Sequence, residues 1–199
     1  MSNQLTFLSI TQLSDLIRKR ELSPIEVVET FLGRLETLGP RYNAVVTITR
    51  KKALKQAKLA EQDIADGNYK GRLHGIPYGA KDLLATSDGI PTTWGASPLR
   101  DQVFDYDATV IRKLETAGAI LVAKLAMVEL AGGMGYRHAN ASFTGPGISP
   151  WGAENSWTGG SSSGSGASVA AGLVPFAIGS ETWGSILSPA NNCGVAGLR

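Results

Sequence analysis

The sequence predicts a layered α/β domain in which helices cover a mixed β-sheet, with the N-terminal helices outside. Helix and strand patterns alternate along the second part of the chain, as they do in layered α/β folds. The apolar run 119–123 is continuous, which is typical of a strand buried on both faces of a sheet. The stretch 159–180 is rich in glycine, serine and alanine and carries no charge. Such a stretch indicates closely packed backbone rather than a solvated linker.

The first seventy residues predict an outer helical layer. A helix is expected to start at Ser23-Pro24, where a capping residue precedes a proline at the first helical position. Its apolar residues recur with a period of about 3.6 until Gly39. Residues 44–48 have a short strand pattern, and residues 50–66 form an alanine-rich charged helix pattern. These patterns predict packing rather than chemistry.

The remaining residues predict the core of the domain. A glycine-broken strand over 73–80 ends at Lys81-Asp82. Asp107 is expected to cap the next helix, which ends at Gly118 and leads into the buried strand. No repeat or linker divides the chain. We therefore interpret residues 1–199 as part of one domain, with 1–70 as the helical outer layer and 71–199 as the catalytic core segment.

Composition excludes several classes of protein. The 199 residues are 43% hydrophobic, which is enough for a core, and the formal net charge is only +2. Basic residues form no long block, so no direct contact with nucleic acid is expected. Cys193 is the single cysteine, so no intrachain disulfide is possible. With no secretory leader and no membrane-spanning run in the sequence, we expect a cytoplasmic protein that does not contact membranes.

Two serines in glycine-flanked turns, Ser161 and Ser185, are the candidates for chemistry. A helix pattern and a strand pattern separate them, which allows the chain to cross a sheet and return to the same edge. A hydroxyl nucleophile needs a base and donors for an oxyanion. His74 and His138 are the only histidines, and a lone histidine is more often structural. A buried lysine with a lowered pKa can replace histidine as the base.

The serine-rich turn has alternative interpretations. Residues 160–164 read G-S-S-S-G, which matches the nucleophile elbow of α/β-hydrolases with Ser162 at its centre. An elbow must follow a strand, however, and residues 151–156 have the composition of a loop. No histidine follows Ser162, although the triad order of that fold requires one. A flexible linker and a phosphate-binding loop are disfavoured, because the run continues into a small-residue helix and the P-loop lysine is absent.

Purely structural roles are also open for the same positions. Ser161 could cap a helix, and Ser185 could be an ordinary turn residue. Lys81 could be a surface residue that pairs with Asp82. The residues by themselves favour these structural roles.

Three motifs resemble the amidase signature family, serine hydrolases of carboxamides that use a Ser-Ser-Lys triad. They read GIPYGAKD, GGSSSGSGASVAAG and GSETWGSILSPANNCGVAGL, in that order, and the resemblance covers essentially the whole chain. It implies that Ser185 is the nucleophile, Ser161 the bridging serine after a cis peptide bond, and Lys81 the buried general base. It assigns the oxyanion hole to the backbone N–H groups of four residues, Thr182, Trp183, Gly184 and Ser185. It also predicts a loop that faces the substrate, formed by Gly132, Gly133 and Met134. The expected substrate is a small-molecule amide, and neither a metal nor a cofactor is implied.

The sequence departs from the family pattern at several positions. The frequent D-x-G-G-S reads E-T-W-G-S at 181–185, so Trp183 replaces a glycine and requires ordinary backbone dihedrals. Leu187 stands where many members have arginine, and the common N-P-W reads S-P-W at 149–151. These departures favour a stand-alone amidase of peptide amides or aryl amides. The alternative is the glutaminase-type A subunit of a tRNA-dependent amidotransferase.

Family members extend well beyond the position of Arg199, so the resemblance implies a domain that is incomplete here. A third interpretation is therefore a truncated scaffold that holds the triad residues without a closed, active pocket. An incomplete sheet exposes an edge, which favours a homo-oligomer or another association through that edge.

Overall fold

The computed structural model describes residues 5–132, 138, 142–152 and 156–199. It confirms the predicted class, a mixed sheet covered by helices. The helices are α1 (Ile10–Arg18), α2 (Pro24–Leu38), α3 (Arg50–Ala65), α4 (Thr109–Thr116), α5 (Ser163–Ala170) and α6 (Leu187–Cys193). The strands are β1 (Val45–Ile48), β2 (Pro77–Lys81), β3 (Ile120–Leu125) and β4 (Ala177–Ile178). Short 3-10 turns occupy Gly39–Tyr42, Ser97–Leu99 and Glu129–Ala131.

Helix α2 begins where the sequence predicts. The Ser23 hydroxyl accepts the backbone N–H groups of Ile25 and Glu26 at 3.1 and 3.4 Å, and Pro24 is the first helical residue. These bonds satisfy donors that have no partner within the helix. The apolar face of α2 is buried with its neighbours, so this helix covers the sheet as an outer layer.

The predicted cap of helix α4 is wrong. The helix starts at Thr109, and its N-cap, Ala108, offers no side-chain hydrogen bond. The Asp107 carboxylate instead accepts the backbone N–H of Ser87 at 2.7 Å. A partner that is distant in sequence has taken the capping carboxylate, which the local pattern could not reveal.

The sheet brings several strand ends to one edge. Its strand order is β1-β3-β2-β4, with β2 parallel to both β3 and β4 and β1 antiparallel to β3. Lys81 closes β2, and Ser180 follows shortly after β4. Because the carboxyl ends of parallel strands lie at the same edge, the topology places these residues close together.

Helix α5 packs directly against the backbone of residues next to strands β1 and β3. A Cβ atom added at Gly164 would lie 2.4 Å from the Ala44 carbonyl oxygen and 2.5 Å from the Ala126 nitrogen. Real Cβ atoms do not approach backbone atoms that closely, and neither neighbour is a flexible side chain. The small residues of this helix therefore allow a close contact with the sheet, as the sequence predicts.

We expect Gly164→Ala to lower the free energy of unfolding by about 3 kcal/mol or more, because the added methyl group overpacks a backbone contact. The matched control is Gly33→Ala in helix α2, where nothing lies within 4 Å of an added Cβ. That control should raise stability by up to about 1 kcal/mol, since alanine favours helix more than glycine does. Urea unfolding measures both changes. Equal stabilities of the two variants would contradict the packing of α5.

None of the described helices combines the length and apolar character that crossing a bilayer requires.

Candidate active site

Lys81 is fully buried at the carboxyl end of β2. Its Nζ donates to Ser161 Oγ at 2.6 Å and to Ser180 Oγ at 2.9 Å. It also lies 3.4 Å from the Ser180 carbonyl oxygen. The structure thus gathers one amine and two serine hydroxyls at the sheet edge.

Burial lowers the pKa of Lys81 from 10.5 to about 7, because a low-dielectric environment disfavours the charged ammonium. A lysine in this range is a competent general base near neutral pH. The neighbouring Asp82 carboxylate lies 3.1 Å from Lys124 Nζ, and both of those side chains are fully buried. The interpretation of Lys81 as a surface partner of Asp82 is therefore wrong.

The backbone around Ser161 lies close to Val128. The peptide bond between Gly160 and Ser161 is cis, as the family resemblance implies. The Ser161 carbonyl oxygen accepts the Val128 N–H at 3.0 Å. A Cβ atom at Gly160 would lie 2.5 Å from Val128 Cγ2, so a larger residue here would force the Val128 side chain to move. Val128 therefore bonds to the Ser161 backbone, while the Ser161 hydroxyl contacts Lys81.

Ser162 connects two turns of the site. Its Oγ donates to the Ser180 carbonyl oxygen and accepts the Ser180 N–H, both at 3.3 Å. Its own N–H donates to the Ser185 carbonyl oxygen at 3.0 Å. Before Ser162, residues 156–160 contribute only an isolated bridge at Trp157 to the described β-structure. The elbow interpretation therefore lacks the strand that it requires.

Ser185 is buried, with 6% of its surface exposed, in a turn whose Ser185 carbonyl oxygen accepts the Ser162 N–H. The Glu181 carboxylate closes this turn by accepting the N–H groups of Ile186 and Leu187 at 2.8 and 2.9 Å. The bond from Leu187 contributes most to holding the pKa of Glu181 below its usual value. The carboxylate thereby holds the backbone that follows Ser185.

The predicted oxyanion donors lie within the same turn. Trp183 replaces a family glycine, has no positive φ, and is 93% exposed. Gly184 has φ near 87°, a conformation that favours glycine. After the bonds from Leu187 and Ile186, the Gly184 N–H also lowers the pKa of Glu181. This donor therefore interacts with an internal carboxylate here, and the assignment of Thr182, Trp183, Gly184 and Ser185 to an oxyanion hole stays a prediction.

Neither histidine joins the site. His74 lies before the start of β2, at the opposite end of the strand from Lys81, and its Nδ1 accepts the Lys70 N–H at 3.1 Å. Burial is the main cause that lowers the pKa of His74. His138 is exposed. The structural interpretation of His74 agrees with its position.

The predicted substrate-facing loop is only partly described. Gly132 follows the 3-10 turn Glu129–Ala131, next to the Val128 backbone that contacts Ser161. Gly133 and Met134 lie outside the described residues. The role of this loop stays a prediction.

Two features of the site were not predicted from the sequence. Ser180 contacts Lys81 because it follows a strand parallel to β2, and its place after the apolar segment 173–178 was the only available signal. Lys124 is a charge at the end of an apolar strand run, which indicates a buried partner. Neither signal identifies the partner without the strand order.

An apolar groove of about 500 Å³ lies beside β4, between α5, α6 and the C-terminal segment. Its lining includes Ser162, Phe176, Ile186 and Leu198, and it includes neither Lys81 nor Ser161. Among the described residues, β4 pairs with β2 alone. Association through this edge stays a prediction.

The chain is similar in sequence to known amidases and to subunits of amidotransferases. The family model described as Amidase matches residues 26–199. The chain is 44% identical over 192 residues to AmiD of Mycobacterium tuberculosis, a protein named as a proposed amidase. It is also 44% identical over 188 residues to the A subunit of the Glutamyl-tRNA(Gln) amidotransferase of Heliobacterium modesticaldum. These alignments cover 96% and 94% of the chain.

Solved structures show the same similarity. The native peptide amidase of Stenotrophomonas maltophilia is 31% identical, with a TM-score of 0.76 over 92% of the chain and 38% of the enzyme. An amidase family protein from Bacillus anthracis is 32% identical, with a TM-score of 0.82 over 95% of the chain and 38% of that protein. The chain spans about two fifths of the length of the curated relatives, 39% for AmiD and 38% for the amidotransferase protein.

Proposed function

The chain belongs to the amidase family, and from this premise we propose that it carries the triad of an enzyme that hydrolyses linear carboxamides through a serine acyl-enzyme. One observation carries the proposal. Lys81 is buried, has a pKa lowered to about 7, and lies 2.6 Å from Ser161 Oγ. A buried amine of this pKa in contact with a serine hydroxyl is suited to proton transfer.

Proton transfer starts from the neutral amine of Lys81. In that state the contact with Ser161 reverses its direction, and the serine hydroxyl donates its proton to Nζ. Ser161 in turn takes the proton of Ser185, whose oxygen attacks the carbonyl carbon of the amide. The bond between the Ser162 N–H and the Ser185 carbonyl oxygen supports this assignment, because it joins the two serine turns.

The tetrahedral intermediate carries a negative oxygen that needs fixed donors. We assign this role to the N–H groups of residues 182–185. Gly184 supports the assignment, since its positive φ turns the backbone at this point. Its N–H would have to leave Glu181 to serve a substrate.

Collapse of the intermediate breaks the C–N bond. The proton held by Lys81 returns through Ser161 to the leaving nitrogen, which departs as ammonia or an amine. Water then attacks the ester of Ser185 and gives its proton to the same relay. The acid is released, and Ser185 regains its hydrogen. No metal or cofactor enters any of these steps.

A glutaminase-type A subunit is the second candidate. Identity to the amidotransferase protein of Heliobacterium modesticaldum equals identity to AmiD, at 44%. The exposed Trp183 and Leu187 in the nucleophile turn favour the stand-alone amidase. The two candidates share the acyl-enzyme chemistry and differ in the acyl group and in the fate of ammonia.

We expect release of ammonia from simple amides, measured with a peptide amide, an aryl amide and glutamine. Both the 199-residue chain and the longest open reading frame that contains it should be assayed. Added hydroxylamine should yield the corresponding hydroxamate, because it intercepts an acyl-enzyme. Turnover of glutamine alone would favour the amidotransferase role. Activity confined to the longer product would identify the shorter chain as an inactive scaffold, and no turnover by either folded protein would refute the proposed function.

A further inference from the structure

A second buried lysine lies beside the base. Lys124 on β3 forms an ion pair with Asp82, the residue that follows Lys81, and both partners are fully buried. Asp82 Oδ1 and Lys124 Nζ lie 3.1 Å apart. Lys124 also donates to Thr92 Oγ1 at 2.7 Å and to the Pro91 carbonyl oxygen at 3.3 Å. Each of these oxygens suits a charged ammonium, which is a donor only.

The pair anchors the segment 91–94. Asp82 Oδ2 accepts the Thr93 N–H at 3.0 Å and also the Thr93 hydroxyl. The Asp82 carbonyl oxygen accepts the Trp94 N–H at 3.1 Å. Together with the Lys124 contacts, these bonds hold every residue of the segment.

The anchored segment reaches Ser161 through backbone bonds. The Trp94 carbonyl oxygen accepts the Leu130 N–H at 2.8 Å. Two residues before Leu130, the Val128 N–H donates to the Ser161 carbonyl oxygen at 3.0 Å. A connected set of hydrogen bonds therefore runs from the ion pair to the relay serine.

We propose that the Lys124–Asp82 pair is a positioning element, which holds segment 91–94 and the Val128 backbone so that the Ser161 hydroxyl stays within reach of Lys81. This inference rests on the proposed function, because it assigns a purpose to the geometry of the relay. Burying two charges costs free energy that packed apolar residues would not cost. A displacement of about 1 Å at a reacting group can lower a rate about a hundredfold. The need to hold Ser161 in place next to Lys81 would explain why the protein keeps an ion pair that is costly to bury.

Amide hydrogen exchange tests the positioning role by a measurement that does not depend on enzyme activity. In Lys124→Met we expect the Trp94 and Leu130 amides to exchange at least about tenfold faster, because local opening becomes easier, while amides of α2 keep their rates. The control is Val122→Ala, a buried position on the same strand. In this variant the exchange rates of the Trp94 and Leu130 amides should keep their ratio to the rates of the α2 amides. Unchanged exchange at Trp94 and Leu130 in Lys124→Met would overturn the proposal.

A second variant covers the case in which Lys124→Met does not fold. Thr93→Val keeps both charges and removes one hydroxyl that Asp82 accepts. We expect faster exchange at Trp94 by about threefold or more, since one anchor of the segment is lost. Exchange equal to that of the wild type would overturn the proposal in this case.

Labelling by a fluorophosphonate probe tests the consequence for chemistry. Lys124→Met should lower the maximal labelling rate by about tenfold or more, with no change in the probe concentration at half-maximal rate, because geometry and not binding is affected. The double variant Lys124→Met/Asp82→Asn should recover part of the rate, since no uncompensated charge stays buried. A purely structural role predicts lower stability with an unchanged maximal rate, and that result would overturn the proposal. An unlabelled wild type would instead count against the proposed function, while the exchange experiment would still decide the positioning role.

Discussion

Ser185→Ala is expected to abolish labelling by a fluorophosphonate probe and to lower amide hydrolysis by a factor on the order of 10⁴ or more. The change removes the attacking oxygen and leaves Lys81 and Ser161 in contact. It should leave folding intact, because the variant keeps the backbone carbonyl that accepts the Ser162 N–H. Mass spectrometry measures the labelling, and a thermal unfolding curve measures the stability. Both use the protein encoded by the longest open reading frame that contains the chain.

The two neighbouring serines provide matched comparisons. Ser161→Ala should slow labelling by roughly 10² to 10⁴, the usual contribution of general acid–base catalysis. Ser162→Ala should slow it by less than about tenfold, because that hydroxyl bonds to the Ser180 backbone and stands outside the relay. Equal labelling of Ser185→Ala and the wild type would refute the nucleophile assignment. A dominant effect at Ser162 would restore the elbow interpretation.

Local signals in the sequence predicted much of the fold. The capping serine and proline before α2, the apolar run of β3 and the small residues of α5 each act through neighbours in the chain or through a general packing requirement. The strand that ends at Lys81 was predictable for the same reason. The family resemblance, and not these patterns, pointed to Lys81 and Ser161 as partners.

Local sequence patterns did not predict the contacts between segments that are distant in the chain. Asp107 looks like a cap, yet it bonds to Ser87, because a loop brought a donor closer than the helix did. Asp82 looks like the partner of Lys81, yet the two side chains have different neighbours and Asp82 pairs with Lys124. Such choices depend on strand order and register, which the sequence alone does not specify.

Lys81→Met is expected to eliminate amide hydrolysis, since the variant lacks the base that we propose for the relay. In the wild type, the labelling rate at Ser185 should rise with pH through about 7, because the neutral amine of Lys81 is the active form. The variant should show no such rise. Lys58→Met, which removes an exposed lysine of helix α3, controls for the loss of one positive charge and should keep the profile of the wild type.

The same variant should change stability in a pH-dependent way. The pKa of Lys81 is lowered from 10.5 to about 7 by burial, so the native state binds fewer protons than the unfolded state between these values. Stability of the wild type should therefore rise as pH rises from about 7 to 10.5 and be lowest below that window. The full penalty below the window is on the order of 5 kcal/mol, from about 1.4 kcal/mol for each pKa unit.

Methionine removes that penalty but also removes the hydrogen bonds to Ser161 and Ser180, each worth about 1 kcal/mol. Lys81→Met should thus be more stable than the wild type by a few kcal/mol below pH 7, and the difference should shrink or reverse near pH 10.5. Urea unfolding of both proteins from pH 6 to 10.5 measures the difference, and groups that titrate in both proteins, such as His74, cancel from it. A variant that keeps its activity, or that is less stable than the wild type throughout this range, would show that Lys81 is held as a charged structural residue and that the Ser-Ser-Lys relay is wrong.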